Sequence, residues 1–186
     1  MLAGVDWHEV RTSLPPGEML RFRADFAERI WTTPDAVAFA VTCGIPHSRG
    51  LFRISAEVSD RDPASPDLAF IDDIDSTPTF TSAGQLQPLG LLFHSPLYVR
   101  PTDGTIWVSD PDSEVELELI HLDLSSLAYL VYKVEIERPD PDEDPTPYDW
   151  AEIEEIIQEG MNRWDTTPFD PCTRFWATFL ESYPMM

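Results

Sequence analysis

Asp72, Asp73 and Asp75 form the tightest carboxylate cluster outside an acidic linker further along the chain. Hard oxygen donors this close have two chemical uses. They hold a divalent cation, or one carboxyl serves as acid while its neighbour serves as base. The calcium-loop pattern fails here, because no glycine and no distal glutamate stand at the required offsets. A short run of aspartates also reads as turn formers facing solvent, and that reading is taken. His8, His47, His94 and His121 stand singly, with no second His or Cys at metal-ligand spacing. Cys43 closes an apolar stretch just before Gly44 and has no base nearby in sequence to lower its pKa. It therefore reads as a packed thiol and not as a nucleophile. There is no glycine-rich phosphate loop, zinc-protease motif or nucleophile elbow. No catalytic residue, metal or cofactor is expected. A hydrolase or metal-dependent enzyme using Asp72, Asp73 or Asp75 with a nearby histidine is the minor alternative.

The charge carries more information. The formal net charge is −22, from 34 Asp+Glu against 12 Lys+Arg. Residues 103–186 hold 21 of the acids, and their only bases are Lys133, Arg138, Arg163 and Arg174. Two runs stand out. One is Asp112, Glu114, Glu116 and Glu118, spaced two apart; the other is Asp140, Asp142, Glu143 and Asp144 among prolines. Val115, Leu117 and Leu119 alternate with the first run, which predicts a strand with one dry and one acidic face. Both runs read either as solvated surface or as a face for a basic protein partner. Nucleic acid is excluded as a ligand by the sign of the charge. An acidic DNA mimic that inhibits a nucleic-acid-binding protein shares these electrostatics and remains the alternative.

Apolar residues make up 42% of the chain and aromatics 11%, too much for a disordered acidic polymer, so the charge rides on a folded body. One domain is expected over residues 1–186, with 1–32 as an N-terminal helical extension and 33–186 as the body. Gly17 to Trp31 reads as a helix from its apolar spacing. Thr33-Pro34-Asp35 starts another, with Gly44 and Pro46 ending it. Leu51 to Ile54, Leu86 to Phe93, Leu97 to Arg100 and Thr105 to Val108 read as strands, the last two joined through Asp103-Gly104. Leu68 to Ile74 is a weaker strand. Asp123 or Ser125 caps a helix carrying Leu127, Leu130, Val131 and Val134. Pro147 opens a further helix with Trp150, Ile153, Ile156, Ile157, Met161 and Trp164 inward, and Asp170-Pro171 opens the last. Segregated strands and helices favour an α+β fold. No apolar stretch approaches the roughly 20 residues that span a bilayer. The first residues show no secretory pattern, and two cysteines make no disulfide framework; a cytoplasmic monomer is expected.

The segment Thr33 to Tyr183 resembles the SUKH superfamily, bacterial immunity proteins related to a yeast cell-wall-synthesis regulator. The likeness rests on Cys43-Gly44-Ile45-Pro46 followed by Leu51-Phe52, and on the Asp103-Gly104 turn into Ile106-Trp107-Val108. It also rests on Leu124 to Leu130 and on the terminal Asp170-Pro171 segment with Phe175-Trp176. The resemblance implies a twisted, mostly antiparallel mixed sheet flanked by helices. It also implies a non-enzymatic protein that neutralises a cognate toxin domain, often a nuclease or deaminase, by binding it.

Overall fold

The computed structural model describes residues 2, 4–72, 74, 75, 77–109, 116–139 and 146–182. The chain is α+β, with ten strands and six α-helices among the described residues. Helix α1 (Trp7–Ser13) starts at Asp6, whose side chain accepts from the His8 and Glu9 amides. Strand β1 (Met19–Phe22) and helix α2 (Ala24–Ile30) follow. The single helix expected over Gly17–Trp31 is thus a strand and a short helix. Residues 19–22 alternate half-buried and buried, because β1 is the middle strand of a three-stranded sheet. Its neighbours are β2 (Ile45–Pro46) and β4 (Ser59–Asp60), both antiparallel to it. Pairing with distant segments overrides a helical spacing that five apolar residues happen to satisfy. Leu20, Phe22, Phe26 and Ile30 join the same core cluster as the sheet residues beyond position 33.

Helix α3 (Pro34–Thr42) is set by local chemistry. Thr33 accepts from the Ala36 amide, and Pro34 occupies the first turn. Gly44 ends the turn with φ of 82° and lies so close to β1 that an added Cβ would fall 2.1 Å from the Leu20 carbonyl oxygen. Only glycine fits both constraints.

The larger sheet contains β3 (Phe52–Ser55), β5 (Phe70–Ile71), β6 (Thr79–Thr81), β7 (Gly84–Leu92), β8 (Ser95–Val99), β9 (Ile106–Ser109) and β10 (Leu117–His121). Its order is β10-β9-β8-β7-β3-β5, with β6 beside the N-terminal part of β7. Every pairing is antiparallel except β3 with β5. The weak strand expected over 68–74 shrinks to the two residues of β5 after a 3-10 turn at Asp67–Ala69. Arg100 closes the β8–β9 connection by pairing its guanidinium with the Asp103 carboxylate and donating from its Nη1 to the Ala83 carbonyl.

Helix α4 (Leu124–Glu137) is capped by Asp123, which accepts from the Ser126 amide. It buries Leu127, Ala128, Leu130, Val131 and Val134 and packs against β2, β10, α3 and α5 (Pro147–Asn162). Helix α5 opens on a capping box between Thr146 and Asp149. Its buried stripe is Ile157 and Met161, whereas Ile156 and Trp164, expected inward, are exposed. The last helix, α6 (Phe175–Ser182), starts later than Asp170-Pro171 predicts, because Asp170 heads a tight turn instead, its carbonyl accepting from the Thr173 amide at 2.8 Å and its side chain from the Cys172 amide. No helix among the described residues is long and apolar enough to cross a membrane. Cys43 is buried and Cys172 exposed, and both are free.

Candidate functional site: acidic surfaces and the polar network beneath them

The first chemical candidates do not assemble. Asp72 is exposed and paired with Arg61 at 3.3 Å. Asp75 is exposed and accepts from the Thr77 amide, while Asp73 lies outside the described residues. No group of three His, Cys, Asp or Glu fit to hold a metal occurs among the described residues. His8 and His94 are exposed, and His47 is buried with its Nδ1 on the Phe52 carbonyl at 2.9 Å. Burial pushes the Cys43 thiol up to about 11, so it stays protonated at neutral pH.

The acidic strand needs a correction at one position. Asp112 and Glu114 lie outside the described residues, as do Asp140, Asp142, Glu143 and Asp144. Glu116 is exposed just ahead of β10. Glu118, however, is only 9% exposed. It stands opposite Val108, which is fully buried, and residues paired across antiparallel strands share a face. The dry face of β10 is therefore the Glu118 side, and Leu117 and Leu119 are left half-exposed. The buried carboxylate is not idle. Its Oε1 accepts from the amides of Arg174 at 2.7 Å and Phe175 at 2.9 Å, which closes the N-terminus of α6. Replacing Glu118 by Ala strands both amides. We expect a loss of about 1–3 kcal/mol in urea unfolding and early fraying of residues 175–182 in hydrogen exchange.

Three residues after Glu118, β10 enters a buried polar network. The Trp176 indole Nε1 donates to His121 Nε2 at 3.0 Å, so that nitrogen carries no proton. The His121 Nδ1–H then donates to the Ser126 hydroxyl at 2.8 Å, and Ser126 donates to Asp165 Oδ2 at 2.5 Å. Asp165 also accepts from the amides of Leu122 at 3.0 Å and Thr167 at 2.9 Å. Burial alone would raise the Asp165 carboxyl. The His121 ring 3.7 Å away and the bonds from Leu122, Ser126 and Thr167 outweigh it and hold the group well below the usual carboxylate range. Burial drives His121 down against the pull of that charge. Ser, His and Asp are the residue types of a nucleophilic triad, but their order is wrong for one. The serine sits on Nδ1, the indole occupies Nε2, and His121, Ser126 and Trp176 are sealed from solvent. The network is a clip joining β10, α4, α6 and the turn after α5.

The family model described as SUKH-4 immunity protein matches residues 5–182. The chain belongs to the SUKH-4 immunity protein family. No curated protein and no solved structure matches it. Membership assigns an immunity function against a toxin, so the relevant site of this SUKH-4 protein is the surface that meets one.

Two parts of the protein's surface are concave or apolar. The clip fixes the first. Asp165 holds the backbone of Leu122 beside a cleft of about 230 Å3 lined by Trp31, Phe39, Asp103, Asp123 and Leu122 itself. Leu122 is exposed, and so is Trp164 next to Asp165. The Arg100 guanidinium holds the Asp103 carboxyl down at about 2, so the cleft mouth keeps its charge at neutral pH. The second part is the far sheet edge, where Leu68 and Phe80 project. Nothing in the spacing of residues 67–81 distinguishes those two side chains in the sequence. Their exposure follows from where β5 and β6 attach.

Proposed function

We propose that this SUKH-4 protein neutralises its toxin by binding and occluding a basic domain of nuclease or deaminase type. It acts in the cytoplasm, as a monomer and without chemistry of its own. The family match carries the reading, and the net charge of −22 supports a basic partner. Complementary potential speeds encounter and rejects wrong partners, while desolvated apolar anchors supply affinity. Glu116 contributes to the acidic surface together with Asp112, Glu114, Asp140, Asp142, Glu143 and Asp144. Glu118 does not, because its carboxylate is committed to α6. Co-expression with the cognate toxin domain, whose gene is expected beside this one, tests the reading. Cells carrying the protein are expected to survive an induction that kills cells with an empty vector. Equal killing in both contradicts the proposal.

A further inference from the structure

Leu68 and Phe80 are the most exposed large apolar side chains among the described residues, at 82% and 80%. They sit on one edge of the larger sheet. Leu68 lies two residues before Phe70, which pairs with Ile54 of β3, and Ile54 in turn pairs with Gly90 of β7. Phe80 pairs with Gln85 of β7. Five residues of β7 separate these attachment points, roughly 17 Å of strand. A standard interface of about 800 Å2 per partner covers both.

The backbone of this edge is matched on one side only. Among the described residues β5 pairs only with β3, and β6 only with β7, so each keeps one backbone edge unmatched. All three residues of β6 are exposed. The loop ahead of Leu68 and β5 is tied down. Arg21 reaches Asp60 and Asp62 at 3.7 and 3.5 Å, Arg61 lies over the Phe70 ring at 4.7 Å, and the Ser65 hydroxyl donates to the Gly17 carbonyl at 2.6 Å. Gly17 itself permits the approach, since a Cβ there would fall 2.3 Å from the Ala64 backbone. An anchor presented on a fixed loop binds without the entropic cost of ordering it.

The occupant follows from charge. Residues 57–81 hold seven acids, Glu57, Asp60, Asp62, Asp67, Asp72, Asp73 and Asp75, and one base, Arg61. Arg21 reaches in from β1 and leaves a clear negative excess. A second copy of this chain would bring the same excess against it. A basic surface meets it favourably.

We infer that the β5–β6 edge is the docking surface for the basic toxin domain, with Phe80 and Leu68 as its apolar anchors. This rests on the immunity reading above and places the affinity at an edge separate from the β10 flank. The β10 and β5 edges are the outermost strands of a six-strand path, about 24 Å apart.

The test uses the full chain and its purified cognate toxin domain. Calorimetry is run on wild type, Phe80→Ala, Leu68→Ala, the double variant, and Ile136→Ala as an exposed apolar control on α4. The two edge substitutions lie on exposed side chains and are expected to leave thermal unfolding unchanged. Phe80→Ala is expected to weaken binding roughly 30-fold, Leu68→Ala roughly 10-fold, and the double variant beyond detection, with Ile136→Ala unchanged. Edge variants that bind like wild type overturn the inference and leave the immunity reading intact. Toxin binding that survives Phe80→Ala while a wild-type dimer dissociates assigns the edge to self-association, and also overturns it. Failure of wild type itself to bind removes the immunity reading and this inference with it.

Discussion

Asp165→Ala is expected to cost about 3–5 kcal/mol in equilibrium unfolding, a large share of the roughly 5–15 kcal/mol that holds a domain together. The carboxylate is the acceptor at the end of the Trp176–His121–Ser126 chain and takes two backbone amides as well. Removing it strands the part-buried Leu122 and Thr167 amides and leaves the Ser126 hydroxyl, which is sealed from water, with no acceptor for its proton. Asp165→Asn keeps the shape but loses the charge, and about half the loss is expected. A cost under 1 kcal/mol for the alanine variant shows that the clip does not hold the fold.

The same network gives stability a pH dependence of defined sign. The Asp165 carboxyl is depressed in the folded state, so its contribution is complete above the ordinary carboxylate value of about 4. It is lost as pH falls further. The His121 imidazole is also depressed, by burial. The unfolded chain therefore binds a proton below about 6.5 that the folded chain refuses. Stability is expected to be level above that pH and to decline in two stages on acidification. Urea midpoints across pH 3–8 measure it, and His121→Phe removes the upper stage.

Gly44→Ala is the second large effect. The glycine combines a left-handed backbone with a Cβ position 2.1 Å from the Leu20 carbonyl oxygen, and the nearby atoms are backbone of β1. They cannot turn aside as a flexible side chain would. The substitution must push β1 from β2 or unwind the end of α3, and a loss of about 2–4 kcal/mol is expected. The fluorescence of Trp31, which packs on Phe22 of β1 at 5.3 Å between ring centres, should report the displaced strand. An unchanged midpoint and unchanged emission would mean that the β1–β2 contact is looser than its geometry.

The parts of the fold legible in the sequence are those governed by neighbours in the chain. Thr33-Pro34 starts α3, Asp123 starts α4 and Thr146-Pro147 starts α5, because caps and first-turn prolines act within three residues. The β8–β9 hairpin is legible for the same reason. Strand β1 is not. Met19, Leu20, Phe22, Phe26 and Ile30 satisfy a helical spacing, and only Ile45-Pro46 and Ser59-Asp60 make residues 19–22 extended. Glu118 fails differently. Alternation separates two faces of a strand but does not say which one is dry, and an α6 terminus 56 residues away decides it. The clip is invisible because its partners stand 5, 39 and 55 residues apart. The acids at 57–81 are diluted when the first half is counted whole, since residues 1–53 are neutral, with six Asp+Glu against six Arg.

Binding and occlusion require stoichiometry, and a titration measures it. The cognate toxin domain is assayed on its own substrate while the purified full chain is added. The proposal predicts activity that falls linearly and is abolished at one equivalent, with no dependence on incubation time once the complex has formed. Full activity at a saturating excess of the chain would contradict it, and so would loss of activity at catalytic amounts.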